Sequence, residues 1–331
     1  MTKNTPPPSE LAIRIVCLLL CATSGLALEG KVYGVGEMQT LVLLGCLPAM
    51  VALLVLVVTL RNRFPQLGTD LLIGAVGGLL GAVAYDVVRI PAHVTGYRVY
   101  GTISVFGLWL LDAEKSSRFT ELAGWSFNYL NGISFGMMYA LFMRGRHWLW
   151  AVAWAFLLET LAVVTPFGRI FGLRGNVTLL VIAFAAHIAY GVPLGWAVQR
   201  WHDTRQSLQE MPPVVRYLVA VISILVLTHS LLSPDAAATD RRAKTGEFQV
   251  EGISLNPGWL RLKKAGNVII SNPQNAAVAV VLKDLRQTVT VPAGASVSSP
   301  PLAPGIHQFF VDNPVRTHSS FVVVEPVERS K

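Results

Sequence analysis

Residues 39–60 contain no charged side chain and consist largely of Leu, Val and Ala. A soluble fold can hide such a helix only at the centre of a large core. A bilayer accepts it along its whole length, because about 20 apolar residues at ~1.5 Å rise each cross the ~30 Å hydrocarbon layer. Comparable runs stand at 11–28, 69–91, 123–143, 148–165, 177–198 and 214–232. With 53% hydrophobic and 14% charged residues over 331 positions, the chain carries more apolar surface than one soluble core of that size needs. The sequence therefore predicts a polytopic α-helical membrane domain of about seven transmembrane helices.

The formal charge of +8 would suggest a nucleic-acid partner in a soluble protein. Here the cations fall in short connections between apolar runs, where they orient helices, so the lipid bilayer is the partner implied and nucleic acid is not. Arg61 and Arg63, Arg144 and Arg146, and Arg200 mark one side as cytoplasmic. Arg98, Lys115, Arg118, Arg169 and Arg174 lie on the other. This places the N-terminus inside and the C-terminus outside, a multi-pass protein of a bacterial-type inner membrane with a periplasmic C-terminal domain. The run 11–28 also fits a cleaved leader, with Lys3 and Arg14 on its N-terminal side and small residues near Ala27. Its length favours a retained span, and the C-terminal domain lies outside on either reading. Cys17, Cys21 and Cys46 all stand in the first two runs, so none is placed for a structural disulfide in an exported domain.

The expected organisation is a disordered tail at 1–10, a helical membrane domain at 11–232, a polar linker at 233–246 and an extracytoplasmic β domain at 247–331. Gly74, Gly77, Gly78 and Gly81 form overlapping small-xxx-small pairs, and Gly132 with Gly136 forms another, a pattern that lets helices approach closely. Residues 101–111 are apolar but too short to cross and read as an interfacial or re-entrant helix in an external loop.

Charged and amide groups inside apolar runs are costly and mark candidate sites. The run 69–91 ends in Tyr85, Asp86 and Arg89, the last two on one helix face. Asn128 and Asn131, Glu159, His187 and Tyr190 lie in other runs at similar depth, so the sequence predicts a shared polar pocket. Asp86, Glu159 and His187, with His93 from the loop, form a candidate transition-metal site or a proton path open to the outside. No phosphate loop, dinucleotide fingerprint, nucleophile elbow or HExxH motif occurs.

After residue 246 the pattern changes to short β-branched runs at 267–271, 277–282, 288–291, 308–311 and 321–324. Asn272-Pro273, Pro292-Ala293-Gly294 and Pro304-Gly305 punctuate them, giving a small antiparallel sandwich. Residues 248–324, with Gly266 to Asn272, Val291 to Gly294 and Pro304 to Phe309, resemble the cupredoxin-like sandwiches. Fibronectin-like and other sandwiches share such turns. The resemblance implies the fold without its copper: Val311 stands at about the cysteine position, and no cysteine or methionine follows, whereas a blue-copper centre needs a thiolate and two imidazoles. His307, His318 and Asp312 are the groups left for a different metal site. A copper fold without ligands suits recognition, so the chain reads as a binding, assembly or accessory subunit of a larger membrane complex, respiratory or metal-handling. The alternative is an intramembrane enzyme or small-solute or ion carrier working through the polar pocket.

Overall fold

The computed structural model describes residues 8–95, 99–174, 176–201, 246–252, 254–312 and 319–325. Its helices are α1 (Pro8–Val32), α2 (Met38–Leu41), α3 (Leu47–Leu60), α4 (Pro65–Val94), α5 (Gly101–Leu110), α6 (Arg118–Met143), α7 (Leu149–Val164), α8 (Pro166–Ile170) and α9 (Val177–Arg200). Two compact units result. One takes Met1–Val94, Asn128–Thr165 and Val177–Ile224, and the other takes Thr95–Phe127, Pro166–Asn176 and Leu225–Lys331.

In the first unit, four described helices are long and apolar enough to cross a membrane: Ser9–Val32, Met38–Leu60, Pro65–Val94 and Val177–Arg200. The second of these joins α2 to α3 through a π-helical turn at Val42–Cys46. Pro48, at the start of α3, has no N–H for the carbonyl four residues back, and the wider turn bonds the Leu47 N–H to the Val42 carbonyl instead. Of the other expected crossings, α6 is long but diluted by Asn128, Asn131 and serines, and α7 is apolar but only 16 residues. The run at 214–232 lies outside the described residues.

Close contacts fix the helix directions. A Cβ on Gly74 would stand 2.6 Å from the Gly136 carbonyl oxygen, and Gly78 faces Gly132 and Gly136, so α4 and α6 run antiparallel at backbone contact. The alternate glycines serve a second neighbour: Gly77 meets Leu194 and Ala197, and a Cβ on Gly81 would lie 2.6 Å from the Tyr190 carbonyl of α9. On α9, Gly191 and Gly195 then meet Val152 and Trp148 of α7. Packing is the role of these small-xxx-small pairs. α1 packs along α6, Arg14 bonding the Leu141 carbonyl at 2.5 Å and Gly25 lying against the Phe135 ring.

Helix α4 differs from the expected span 69–91. It starts at Pro65 and continues through Pro91 to Val94, because a proline so near the C-terminus interrupts only the last turn. Near its start, Asp70 takes Arg14 at 2.8 Å and Arg144 at 2.6 Å, and Glu10 bonds Arg14 at 2.9 Å. This ion network ties α1, α4 and the end of α6 together.

The second unit contains two sheets, with strands β1 (Glu247–Glu251), β2 (Ser254–Asn256), β3 (Trp259–Leu262), β4 (Ile269–Ser271), β5 (Val278–Leu282), β6 (Gln287–Val291), β7 (Ser296–Ser298), β8 (Gly305–Val311) and β9 (Ser319–Val324). Their orders are β2-β1-β4-β7 and β3-β9-β8-β5-β6, closed over a core that includes Phe248, Ile270, Leu260 and Phe309. The five strand runs read from sequence are present. The sheets are not wholly antiparallel, since β1 pairs with β4 and β3 with β9 in parallel. Long-range pairing of this kind leaves no local trace.

The segment after α5 covers the edge of β3. The Arg261 N–H donates to the Glu114 carbonyl at 2.8 Å and the Ser116 N–H to the Trp259 carbonyl at 3.0 Å, which pairs an edge that would otherwise be open. The Arg261 side chain, 0% exposed, bridges Asp112 and Glu325 at 2.7 and 2.6 Å. Helix α5 packs inside this unit. Residues Ile103 to Trp109 are all buried, as a helix apolar on every side must be, and Phe106 meets Phe127, Phe167 and Phe171 within this unit.

Candidate functional site

Three helices of the first unit bring the candidate residues together. On α4, Asp86 and Arg89 pair one turn apart, each side chain 5% exposed, and the Arg89 guanidinium lies 4.2 Å above the Tyr85 ring. The Tyr129 hydroxyl, from α6, stands beside the Asp86 carboxylate. A guanidinium held by a carboxylate and an aromatic face is well placed in a weakly polar interior, where either charge alone would be expensive.

The opposite face of Tyr85's surroundings belongs to α9: its ring meets His187 edge-on, centroids 4.9 Å apart. The His187 Nδ1–H donates to the Ala183 carbonyl one turn back at 2.9 Å. That bond sets the neutral tautomer, because a carbonyl only accepts. The same Nδ1 lies 3.4 Å from Glu159 Oε2 on α7. The Glu159 side chain is 5% exposed, and its Oε1 is buried with no hydrogen-bond partner among the described residues. The contact exists because Gly191 and Gly195 let α9 approach α7 to backbone distance.

Asp86, Arg89, Glu159 and His187 thus form one constellation with Tyr85 and Tyr129. Asn131 is buried on α6, its Oδ1 unpartnered among the described residues, and Asn128 is half-buried one turn away. Tyr190 has a fixed task, its hydroxyl donating to the Gly132 carbonyl at 2.7 Å, and so links α9 to α6 rather than opening a pocket. His93 is exposed in the last turn of α4. The set Asp86, His93, Glu159 and His187 does not gather as a metal-holding group: among the described residues no three His, Cys, Asp or Glu side chains do. In that set Asp86 is occupied by Arg89, and His187 turns Nδ1 to a backbone carbonyl.

Sequence reasoning passed over Tyr129, whose hydroxyl sits one position from Asn128, and Glu29 near the end of α1. Glu29 stands one residue past the run 11–28, where a charge reads as a flank, whereas Glu159 lies inside its run. In the second unit, His307 Nε2–H donates to the Ala303 carbonyl at 2.7 Å, Val311 is buried and Asp312 is exposed. His318 lies outside the described residues.

The chemistry of the constellation follows from its charges. Asp86 and Arg89 cancel. Glu159 as a carboxylate beside a neutral His187 leaves one negative charge, which a buried site in hydrocarbon disfavours. One added proton, on Glu159 or on His187, makes the whole neutral. Either member of the pair can chemically carry that proton. No protein-family model matches the sequence, and no curated protein matches it either.

Proposed function

We propose that the chain is a multi-pass inner-membrane carrier of ions or small solutes whose working site is the Glu159–His187 pair, a proton-exchanging site braced by Asp86, Arg89 and Tyr85. The observation that carries this reading is the buried Glu159 carboxyl, with one oxygen at 3.4 Å from an imidazole and the other unpartnered among the described residues. A carboxyl kept for structure alone would be fully bonded or absent.

The connectivity supports the full topology. Residues 95–127 follow α4 and residues 166–176 follow α7, two helices of the same direction, and both segments share a unit with the β domain. The apolar run 214–232 is long enough for one more crossing after α9. This gives seven spans with a periplasmic C-terminal domain, the basic connections marking the cytoplasmic side. The cupredoxin likeness belongs to the same proposal, as a sandwich without a copper ligand set.

Reconstitution of the full chain in liposomes enclosing a pH-sensitive dye tests the reading. With a potassium–valinomycin potential imposed, the wild type acidifies or alkalinises the lumen, and Glu159→Gln abolishes the signal. Equal traces for wild type, Glu159→Gln and empty liposomes would rule the carrier out.

A second reading, an assembly or accessory subunit of a larger membrane complex, is favoured by the make-up of the second unit. Two interhelical connections are built into the sandwich, giving a firm platform for a membrane-protein partner. Purification in mild detergent discriminates: a stoichiometric partner together with silent liposomes supports the subunit, and a solitary active chain excludes it.

A further inference from the structure

Glu29 is a half-buried titratable group that the site as described does not use. It lies in the last turns of α1, where Thr165 Oγ1 donates to its Oε1 at 3.3 Å. Its Oε2 is buried with no hydrogen-bond partner among the described residues. Lys31, two residues on, pairs with Glu37 at 2.9 Å.

Its depth in the bundle follows from the register. Along α1 and α6, Arg14 meets Leu141 and Gly25 meets Phe135, so the two helices run antiparallel. One turn beyond the Gly25–Phe135 contact, α1 presents Glu29 and α6 presents Asn131, side chains at one level on neighbouring helices. On α7, the Thr165 that bonds Glu29 stands six residues beyond Glu159, about 9 Å along the axis at ~1.5 Å per residue. Glu29 therefore lies toward the end of α7 that is nearer to Glu159. Thr165 of α7, its bonded neighbour, carries no charge, and neither does Asn131 of α6, one turn past the Phe135 contact.

We infer that Glu29 is the relay through which Glu159 exchanges its proton with the aqueous phase at the Thr165 end of α7. This rests on the proton-exchange reading of Glu159. The Glu29 carboxylate takes a proton from water and passes it, through a file of water molecules, to the Glu159 carboxylate. Glu29 returns to carboxylate as Glu159 becomes the acid, and the reverse transfer empties the site. Asn131 and the Thr165 hydroxyl supply neutral hydrogen-bonding groups along the way.

The liposome assay with the full chain tests this. Glu29→Gln slows proton flux on the order of tenfold or more, the scale of a lost acid–base group, and millimolar azide or formate, small permeant acids, restores it. Glu29→Asp retains most of the rate. Flux in Glu29→Gln equal to wild type overturns the relay, and so does a slowed flux that neither acid rescues, which would make Glu29 structural. A wild type without flux, or one unaffected by Glu159→Gln, overturns the carrier reading and the relay with it.

Dicyclohexylcarbodiimide, which attacks protonated carboxyls in apolar surroundings, gives a measurement on the wild type that is independent of variant folding. Peptide mass spectrometry finds adducts at Glu29 and Glu159, and the Glu29 adduct disappears as the pH is raised. Labelling of Glu159 alone at every pH overturns the relay and leaves the carrier intact.

Discussion

Asp70 and Glu159 are carboxylates buried to nearly the same degree, with 2% and 5% of the side chain exposed, yet their surroundings differ. At Asp70 two guanidiniums converge, Arg14 at 2.8 Å and Arg144 at 2.6 Å, and Glu10 completes a set in which two negative charges meet two positive ones. At Glu159 the cationic candidate within reach is the His187 imidazole at 3.4 Å, charged only when protonated, and Arg89 is held by Asp86. Equal burial with matched partners makes a fixed joint. Equal burial with a partner that gains or loses a proton makes a site whose charge is adjustable. Desolvation is nearly the same in both places, so the supply of cations within reach decides which role each carboxylate takes.

The sharpest way to break this comparison is to remove each carboxylate in turn. Asp70→Ala removes the carboxylate that two guanidiniums share, leaving Glu10 to hold Arg14, and should destabilise the fold by about 3–5 kcal/mol, as for other broken buried pairs. It reads as a large drop in the detergent Tm. Glu159→Gln should leave Tm unchanged or raise it, since the amide removes a charge that has no full partner. Comparable losses of stability in both variants would show that Glu159 is a structural ion like Asp70.

His187→Phe comes next in size. The ring keeps the edge contact with Tyr85 but loses the bond to Ala183 and the approach to Glu159, for a cost of about 1–2 kcal/mol. A double-mutant cycle with Glu159→Gln isolates their coupling. Zero coupling would mean that the 3.4 Å approach carries no interaction. Below that lies Arg144→Ala. Arg144 is 27% exposed, and Arg14 still holds Asp70, so the loss should be about 1 kcal/mol or less, the range of partly hydrated pairs. A loss as large as that of Asp70→Ala would make Arg144 the main partner.

Much of this contrast was half-legible in the sequence. Hydropathy is a local property, so the long apolar helices and the charges inside them stand out, and a spacing of three residues was enough to pair Asp86 with Arg89. The contact of Glu159 with His187 depends on Gly191 and Gly195 seating α9 on α7, which single-helix periodicity cannot reveal. Arg14 read as a flanking cation, because charges near helix ends usually reach water. Its partner Asp70 is remote in sequence, and only packing joins them. In the β domain the runs rich in Val and Ile were visible, whereas β2 and β7 have three residues each, and the parallel pairings of β1 with β4 and β3 with β9 are set by contacts between distant residues.

The smallest effect belongs to a carboxylate matched as well as Asp70 but standing in water. Asp112 is 41% exposed and takes Arg261 at 2.7 Å and Lys263 at 2.9 Å. Hydrogen bonds from Lys263 and Arg261 hold its carboxyl below the usual carboxylate range. The folded pKa lies under the unfolded one, so the stability it contributes is fully present above the unfolded value of about 3.9 and is lost as the pH falls through the lowered folded value. Solvent screening keeps that contribution within roughly 0.2–1 kcal/mol. Thermal melts of the full chain followed by the β-sheet signal, from about pH 5 to pH 2, should show a shallow decline in Tm that Asp112→Asn flattens and added salt weakens. An unaltered slope in Asp112→Asn would show that a matched carboxylate standing in water adds nothing to the tie, so that burial, rather than the number of cations, governs how strongly such a carboxylate holds this protein together.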